Sequence, residues 1–159
     1  MPHCVDDCEP NIQADTHTSQ KRTRLRLRGL NIQWPFSQLL LSGLKLVEAR
    51  RYALGYHGIA HANEELWLIE TPGPATSTKN AMPENSAVSP RPAKAQIVRT
   101  ICFTAAIRYT GRRAFRADAG RHRIAAGGNK EWRGDGQMYA WEVGPVRALQ
   151  EPIPIIEKG

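Results

Sequence analysis

Three charged residues stand close together in the run Gly43-Leu-Lys45-Leu-Val-Glu48-Ala-Arg50: a cation, a carboxylate and a second cation behind a glycine. On a strand starting near Leu46, Glu48 and Arg50 share one face and Val47 and Ala49 the other, which leaves Val47 and Ala49 to serve a core. Lys45 falls in the turn before that strand. An amine held there beside a carboxylate acts as a base or a nucleophile if burial lowers its pKa, and the carboxylate then trades protons with it. The plainer reading is an ordinary surface ion pair on a solvated strand edge. Periodicity alone favours that reading, because most such pairs contribute little.

A second concentration of chemistry lies in Arg99 to Arg133, where nine Lys and Arg face only Asp118 and Glu131. Arg112, Arg116 and Arg123 recur at near-helical spacing, joined by Arg113, Arg121 and His122, while Tyr109, Phe115 and Trp132 interleave rings able to stack on bases. Such a patch neutralises phosphates in a salt-dependent way. The alternative is a solvated helix face with Phe115 in the core, and the high pI sets phosphate binding modestly ahead of it. His122 is the best placed histidine, since it sits in the patch and can donate to a phosphate when protonated.

Other candidates carry less. His57 and His61 are four apart, but Gly55 and Gly58 argue against the helix that would let them share a metal. His3, Cys4 and Cys8 offer one Cys-x-x-x-Cys pair with no matching second pair, so no metal is expected. Cys102, within Ile101-Cys-Phe103, reads as a small buried hydrophobe. Gly127-Gly128, Gly134 and Gly136 lack the Gly-Lys-Ser/Thr of a phosphate loop, so ATP is not implied and no cofactor is expected.

The elements that must position these residues follow from patterning. Thr23 to Arg28 alternates Arg and Leu with period two and predicts a half-buried strand. Trp34-Pro35 to Ser42-Gly43 has Pro early and Gly late, the asymmetry of a short helix. Leu46–Tyr52, Glu65–Glu70, Gln96–Thr104, Met138–Val143 and Val146–Leu149 are rich in β-branched, aromatic and aliphatic residues and read as strands. Arg112–Arg123 reads as helical. Trp67 and Trp141 follow strand periodicity and belong to the core, whereas Trp34 stands at the mouth of the first helix, where it either walls a cleft or staples the helix end. Many short strands with two or three short helices predict an α+β fold, a small mixed β-barrel.

Length and charge bound the answer. The chain has 159 residues, 41% hydrophobic and 23% charged, which suits one globular domain. Residues 1–22 are polar and predict a flexible tail; residues 23–158 form the domain, interrupted by a Pro-rich loop at 72–92. Twenty-two Lys and Arg, sixteen of them Arg, against fifteen Asp and Glu give a net charge of +7 and a pI near 9.7, a balance that favours a polyanionic partner. No apolar run approaches the roughly 18–20 residues of a membrane span, so no membrane is expected. The acidic N-terminus lacks the basic and apolar regions of a secretory signal, and three scattered cysteines make no disulfide framework, so the cytoplasm is the expected location.

The run Gly43-Leu-Lys45-Leu-Val-Glu48-Ala-Arg50, read as G-x-K-x-x-E-x-R, resembles the signature of the ASCH domain, a branch of the PUA-like β-barrel superfamily. In that family an apolar strand and a Trp-Pro or Pro-Trp step lead into the helix before the signature, which Leu30-Asn-Ile-Gln-Trp34-Pro35 resembles. Tyr139-Ala-Trp141-Glu-Val143 and Val146-Arg-Ala-Leu149 are similar to its closing strands. The resemblance covers most of residues 25 to 156 and implies a PUA-like barrel with a cleft beside the helix, suited to RNA or a nucleotide-like ligand. Trp34, Gly43, Arg50 and Tyr139 are the ligand-binding residues it implies, with Lys45 the cleft cation, Glu48 its acid–base partner and Arg50 an anchor for negative charge. Some ASCH proteins are reported as ribonucleases, some as amidohydrolases of N4-acetylcytidine, others as nucleic-acid-binding modules. The hydrolases tend to carry threonine, as the supposed nucleophile, where Glu48 stands here, so their mechanism does not transfer directly. RNA or nucleotide binding is the leading expectation and a hydrolase on the same cleft the alternative, with a protein partner left open.

Overall fold

A computed structural model describes residues 27–58, 60–73, 89–128, 130–134 and 136–155. The expected tail, most of the expected Pro-rich loop and residues 23–26 of the expected first strand lie outside the described residues.

The first strand is β1, Gly29–Gln33, in which Leu30 and Ile32 point inward while Gly29 and Asn31 stay exposed. It stops at Trp34–Pro35, joined by a cis peptide bond, since proline has no N–H to offer a ladder. Helix α1, Phe36–Leu41, follows and buries Ser37, Leu39 and Leu40. Its last carbonyls are taken by three N–H groups: Ser42 donates to Gln38, Gly43 to Leu40 and Lys45 to Leu39, at 2.8–3.1 Å. Gly43 has φ +71°, a left-handed turn that glycine adopts without a Cβ clash. The turn leads straight into β2, Val47–Arg50, with Lys45 at its foot.

Strands β3 (Leu66–Thr71), β4 (Gln96–Arg108) and β5 (Tyr139–Pro154) complete a five-stranded sheet in the order β1-β3-β4-β5-β2. The pair β1–β3 is parallel and the others are antiparallel. Register shifts at Ile97/Arg99, Ile101/Phe103 and Phe103/Ala105 bend the long β4–β5 ribbon, as bulges do. Opposite the second of them a Cβ on Gly144 would fall 3.0 Å from Thr104 Cγ2 and 3.3 Å from the Cys102 carbonyl oxygen, an approach closer than most side chains make. Met138–Val143 and Val146–Leu149, expected as two strands, fall, apart from Met138, in this one β5, because the ribbon bends there without breaking. With α2 (Arg112–Ala117) and α3 (Ala119–His122) between β4 and β5, the molecule is a mixed-sheet half-barrel with three short helices. The helix expected over Arg112–Arg123 is two, interrupted at Asp118.

Two apolar clusters hold this together. Leu30, Ile32, Leu40, Leu66, Leu68, Ile101, Phe103 and Trp141 fill the half-barrel, with Trp141 edge-on to Phe103 and Tyr52 at 5.3 and 5.4 Å. Trp67 is not among them: Leu66 and Leu68 take the inner face and leave Trp67 half-buried on the other. Phe115, Trp132 and Met138 form the second cluster against Ala49, so the helices cover the outer face of β2. Glu70, 1% exposed, fastens α1 to the sheet by accepting from Ser37 Oγ (2.6 Å), Gln38 Nε2 (2.5 Å) and Gln96 Nε2 (3.1 Å). Three neutral donors hold the buried carboxylate, which fixes the angle at which α1 meets β1 and β3.

Candidate functional site

The sheet has two open edges, β1 and β2, and the site lies where they face each other. Arg50 Nη2 of β2 donates to the Asn31 carbonyl of β1 at 2.9 Å. Between the two edges opens a cleft of about 630 Å³, lined by Gln33 and Phe36 on one side and by Lys45, Glu48, Arg50 and Arg51 on the other, with Lys130, Glu131 and Met138 closing it. Val47 is buried and Ala49 packs on the Phe115–Trp132–Met138 cluster while also bordering the cleft, and Glu48 and Arg50 lie on the other face beside Trp141. Both faces of β2 are therefore covered, and the charged face is not a solvated strand edge.

Lys45 is 1% exposed. Its Nζ donates to the His122 carbonyl at 2.8 Å, lies 3.3 Å from Glu48 Oε2 and stands 5.5 Å from the centre of the Phe36 ring. Burial lowers its pKa below the usual lysine range, against the pull of Glu48 that raises it; Arg50 adds a smaller push downward. Glu48 reaches both cations, since its Oε1 is 3.1 Å from Arg50 Nε. That last contact is an ion pair without a hydrogen bond, because the Nε–H does not point along it. The Arg50 guanidinium also lies 5.9 Å from the Trp141 ring centre.

Among the described residues, two buried side-chain polar atoms have no hydrogen-bond partner: Arg50 Nε and Gln33 Oε1. Both residues line this cleft. Buried polar atoms are nearly always hydrogen-bonded; Gln33 Oε1 accepts nothing, and Arg50 Nε keeps only its ion pair to Glu48, with its hydrogen left unused. At its rim Arg51 and Lys130 are exposed and have no ion-pair partner among the described residues.

No family model and no curated protein matches the chain. A solved structure does: the crystal structure of ASCH from Zymomonas mobilis, 13% identical, superposes with a TM-score of 0.52 over 79% of this chain and 71% of that one. The fold is ASCH-like. In this ASCH-like half-barrel the residues expected at the cleft divide into two groups. Lys45, Glu48 and Arg50 come together in it, whereas Trp34, Gly43 and Tyr139 are not among the residues that line it. Trp34 is buried and donates from Nε1 to the Ser89 carbonyl at 3.0 Å, and Gly43 makes the turn after α1. Tyr139 is the register partner of Arg50 on β5 and donates its hydroxyl to Gln137 Oε1.

The basic stretch of the ASCH-like fold is partly neutralised from within. Arg116 pairs with Glu131 at 2.7 Å, Arg121 grips both oxygens of Glu142 at 2.7 Å, and Arg123 Nε donates to the Leu44 carbonyl at 2.7 Å. The Gly127 N–H, and after it Arg116, hold the Glu131 carboxyl below its usual range. Arg112 and Arg113 remain exposed with no partner among the described residues.

His122 requires a correction: it is 0% exposed, so it does not meet a phosphate. Its Nδ1 accepts from the Ile124 N–H at 2.9 Å and its Nε2 meets the Phe115 carbonyl at 2.8 Å, while the ring stacks on Phe115 at 4.1 Å. Its role is to place its own carbonyl on Lys45.

Gln33, Arg51, Lys130 and Glu131 were missed as cleft residues. Gln33 and Arg51 adjoin the Trp34-Pro35 step and Arg50 in the chain, a signal that was available. Lys130 and Glu131 reach the cleft only through the tertiary path of the segment after α3. Among the described residues no cluster of three or more metal-ligating side chains occurs, and no helix is long and apolar enough to cross a membrane.

Proposed function

We propose that the cleft binds RNA or a nucleotide-like ligand, with a base edge on Gln33 and Arg50 and a phosphate on Arg51 and Lys130. The observation that carries this reading is the buried Gln33 Oε1, which accepts no hydrogen bond, facing the same cleft as an Arg50 Nε whose hydrogen its ion pair to Glu48 does not use. A nucleobase edge presents N–H donors beside oxygen and nitrogen acceptors, and single-stranded RNA is read on those edges while its bases stack on aromatic rings. Phe36 and Tyr52 line the same cleft and offer such rings. Four cations against two carboxylates suit a ligand that brings its own negative charge. The exposed Arg112 and Arg113 extend the cationic surface.

A second reading, hydrolysis on the same cleft, is favoured by one observation: Lys45 is buried with its pKa lowered beside Glu48. An amine with a lowered pKa spends more of its time unprotonated near neutral pH and so is available as a base or nucleophile, and Glu48 is within reach to pass the proton on. The test incubates wild type and Lys45→Met with a pool of single-stranded RNAs and modified nucleosides, reading products by mass and binding at two salt concentrations. Salt-sensitive binding without product supports a binding module. Product that disappears in the variant supports the hydrolase, and neither signal would sink both.

A further inference from the structure

Residues 130–134 and 136–138 lie between two concavities. Lys130, Glu131 and Met138 face the cleft; Trp132 and Gln137 line a second, shallower concavity of about 300 Å³, whose other wall includes Arg108 and Arg112. These two arginines are exposed and have no ion-pair partner among the described residues, in contrast to Arg116 and Arg121, which carboxylates already hold. Like charges lining one concavity raise each other's energy, and an anion seated there relieves it.

Sheet register connects the two places. Arg50 pairs with Tyr139 across β2–β5, and Tyr139 pairs with Arg108 across β5–β4. Directly opposed residues share a face and lie side by side, so a tyrosine stands between a cation of the cleft and a cation of the second concavity. A ring set between two cationic places is the arrangement that carries a single strand: a base edge meets Arg50 and a phosphate the neighbouring Arg51 and Lys130 on the cleft side, and a second phosphate meets Arg108 on the other. Because Lys130, Glu131 and Met138 line one concavity and Trp132, Gly134, Gly136 and Gln137 the other, the two are separate places for a phosphate.

We infer that the ligand is a single RNA strand that occupies both sites: one nucleotide in the cleft, the backbone passing over Tyr139, and a further phosphate on Arg108 and Arg112. This rests on the nucleotide reading of the cleft and adds a length requirement to it. A lone nucleotide fills the first site only.

The test compares a randomised RNA hexamer with the four ribonucleoside 5′-monophosphates, binding to wild type, to Arg108→Ala/Arg112→Ala and to Lys94→Ala/Arg147→Ala, which removes the same charge elsewhere. Thermal melting confirms that each variant is folded. The hexamer should lose tenfold or more in affinity in the Arg108/Arg112 variant, with a log–log salt slope shallower by about 0.7 for each phosphate no longer neutralised. Monophosphate binding should change less than twofold, and the charge-matched control should keep hexamer affinity within about threefold. Hexamer affinity equal to the control's, or monophosphates weakened as much as the hexamer, would overturn the second site. Wild type that binds monophosphates and gains nothing from the hexamer would overturn it alone; wild type that binds neither would overturn the cleft reading and this inference with it.

Discussion

The guanidinium of Arg50 donates to the Asn31 carbonyl across 2.9 Å, and the two residues belong to the two edge strands of one sheet. Among the described residues the order β1-β3-β4-β5-β2 leaves those edges unpaired by any ladder, so a side chain bridges the gap that backbone pairing leaves open. The cleft is the space on either side of that bridge. Its width depends on Arg50 remaining planar, long and held by Glu48.

Arg50→Lys keeps the charge and loses the fork that reaches both Glu48 and Asn31. The bond is exposed, and exposed charged contacts are worth about 0.2–1 kcal/mol, so a loss within that range is expected in urea melts. Amide exchange should quicken in β1, residues Gly29–Gln33, while the β4–β5 ribbon stays protected. Uniform acceleration across the sheet would contradict the seam.

Glu48→Gln and Lys45→Met should differ in cost. Removing the carboxylate leaves Lys45 and Arg50 facing each other with no anion between them, a broken buried pair worth about 3–5 kcal/mol. Removing the lysine charge leaves Glu48 still paired with Arg50. Glu48→Gln should therefore melt lower than Lys45→Met. The reverse order would show that the carboxylate does not organise the site.

His122 predicts an acid-side loss of stability. The Ile124 N–H occupies Nδ1, so Nε2 carries the hydrogen donated to Phe115 and the ring is neutral. Burial, followed by the nearby Lys45 charge, holds its pKa below the ordinary 6.5, although the hydrogen bond to Phe115 pulls the other way. The unfolded chain takes up a proton near 6.5 and the folded chain resists it, so stability declines as pH falls below 6.5, down to the folded value. The slope is at most about 1.4 kcal/mol per pH unit. Urea melts at pH 7.5 and 5.5 should show the decline in wild type and its absence in His122→Gln. An equal decline in both would assign it elsewhere.

Much of this was legible in the sequence where local rules act alone. The Pro-early, Gly-late run gave α1 almost to the residue, and alternation correctly set Val47 and Ala49 against Glu48 and Arg50. Periodicity could not reveal that the charged face of β2 also turns inward, because that depends on β1 arriving from the far edge of the sheet. Which arginines of the basic stretch stay free lay beyond composition for a related reason: folding alone sets Glu131 on Arg116 and Glu142 on Arg121, leaving Arg112 and Arg113 exposed. His122 looked exposed between two arginines, yet the left-handed Arg123 that ends α3, at φ +59°, accompanies a ring turned into the core. Glu70, a carboxylate inside an apolar strand, gave no sign that Ser37, Gln38 and Gln96 would converge on it.

The most direct measurement of the central claim is a paired titration and melt of Gln33→Leu. Gln33 Oε1 is buried and unpaired, and an unsatisfied buried polar atom costs about 1–3 kcal/mol, so replacing the amide by an alkyl group of similar size should leave the free protein as stable as wild type or more so. If the atom waits for a base edge, the same change should weaken binding of the randomised RNA hexamer by tenfold or more. Unchanged or raised melting together with lost affinity is the predicted result. A variant that binds RNA as tightly as wild type would contradict the cleft as the binding site.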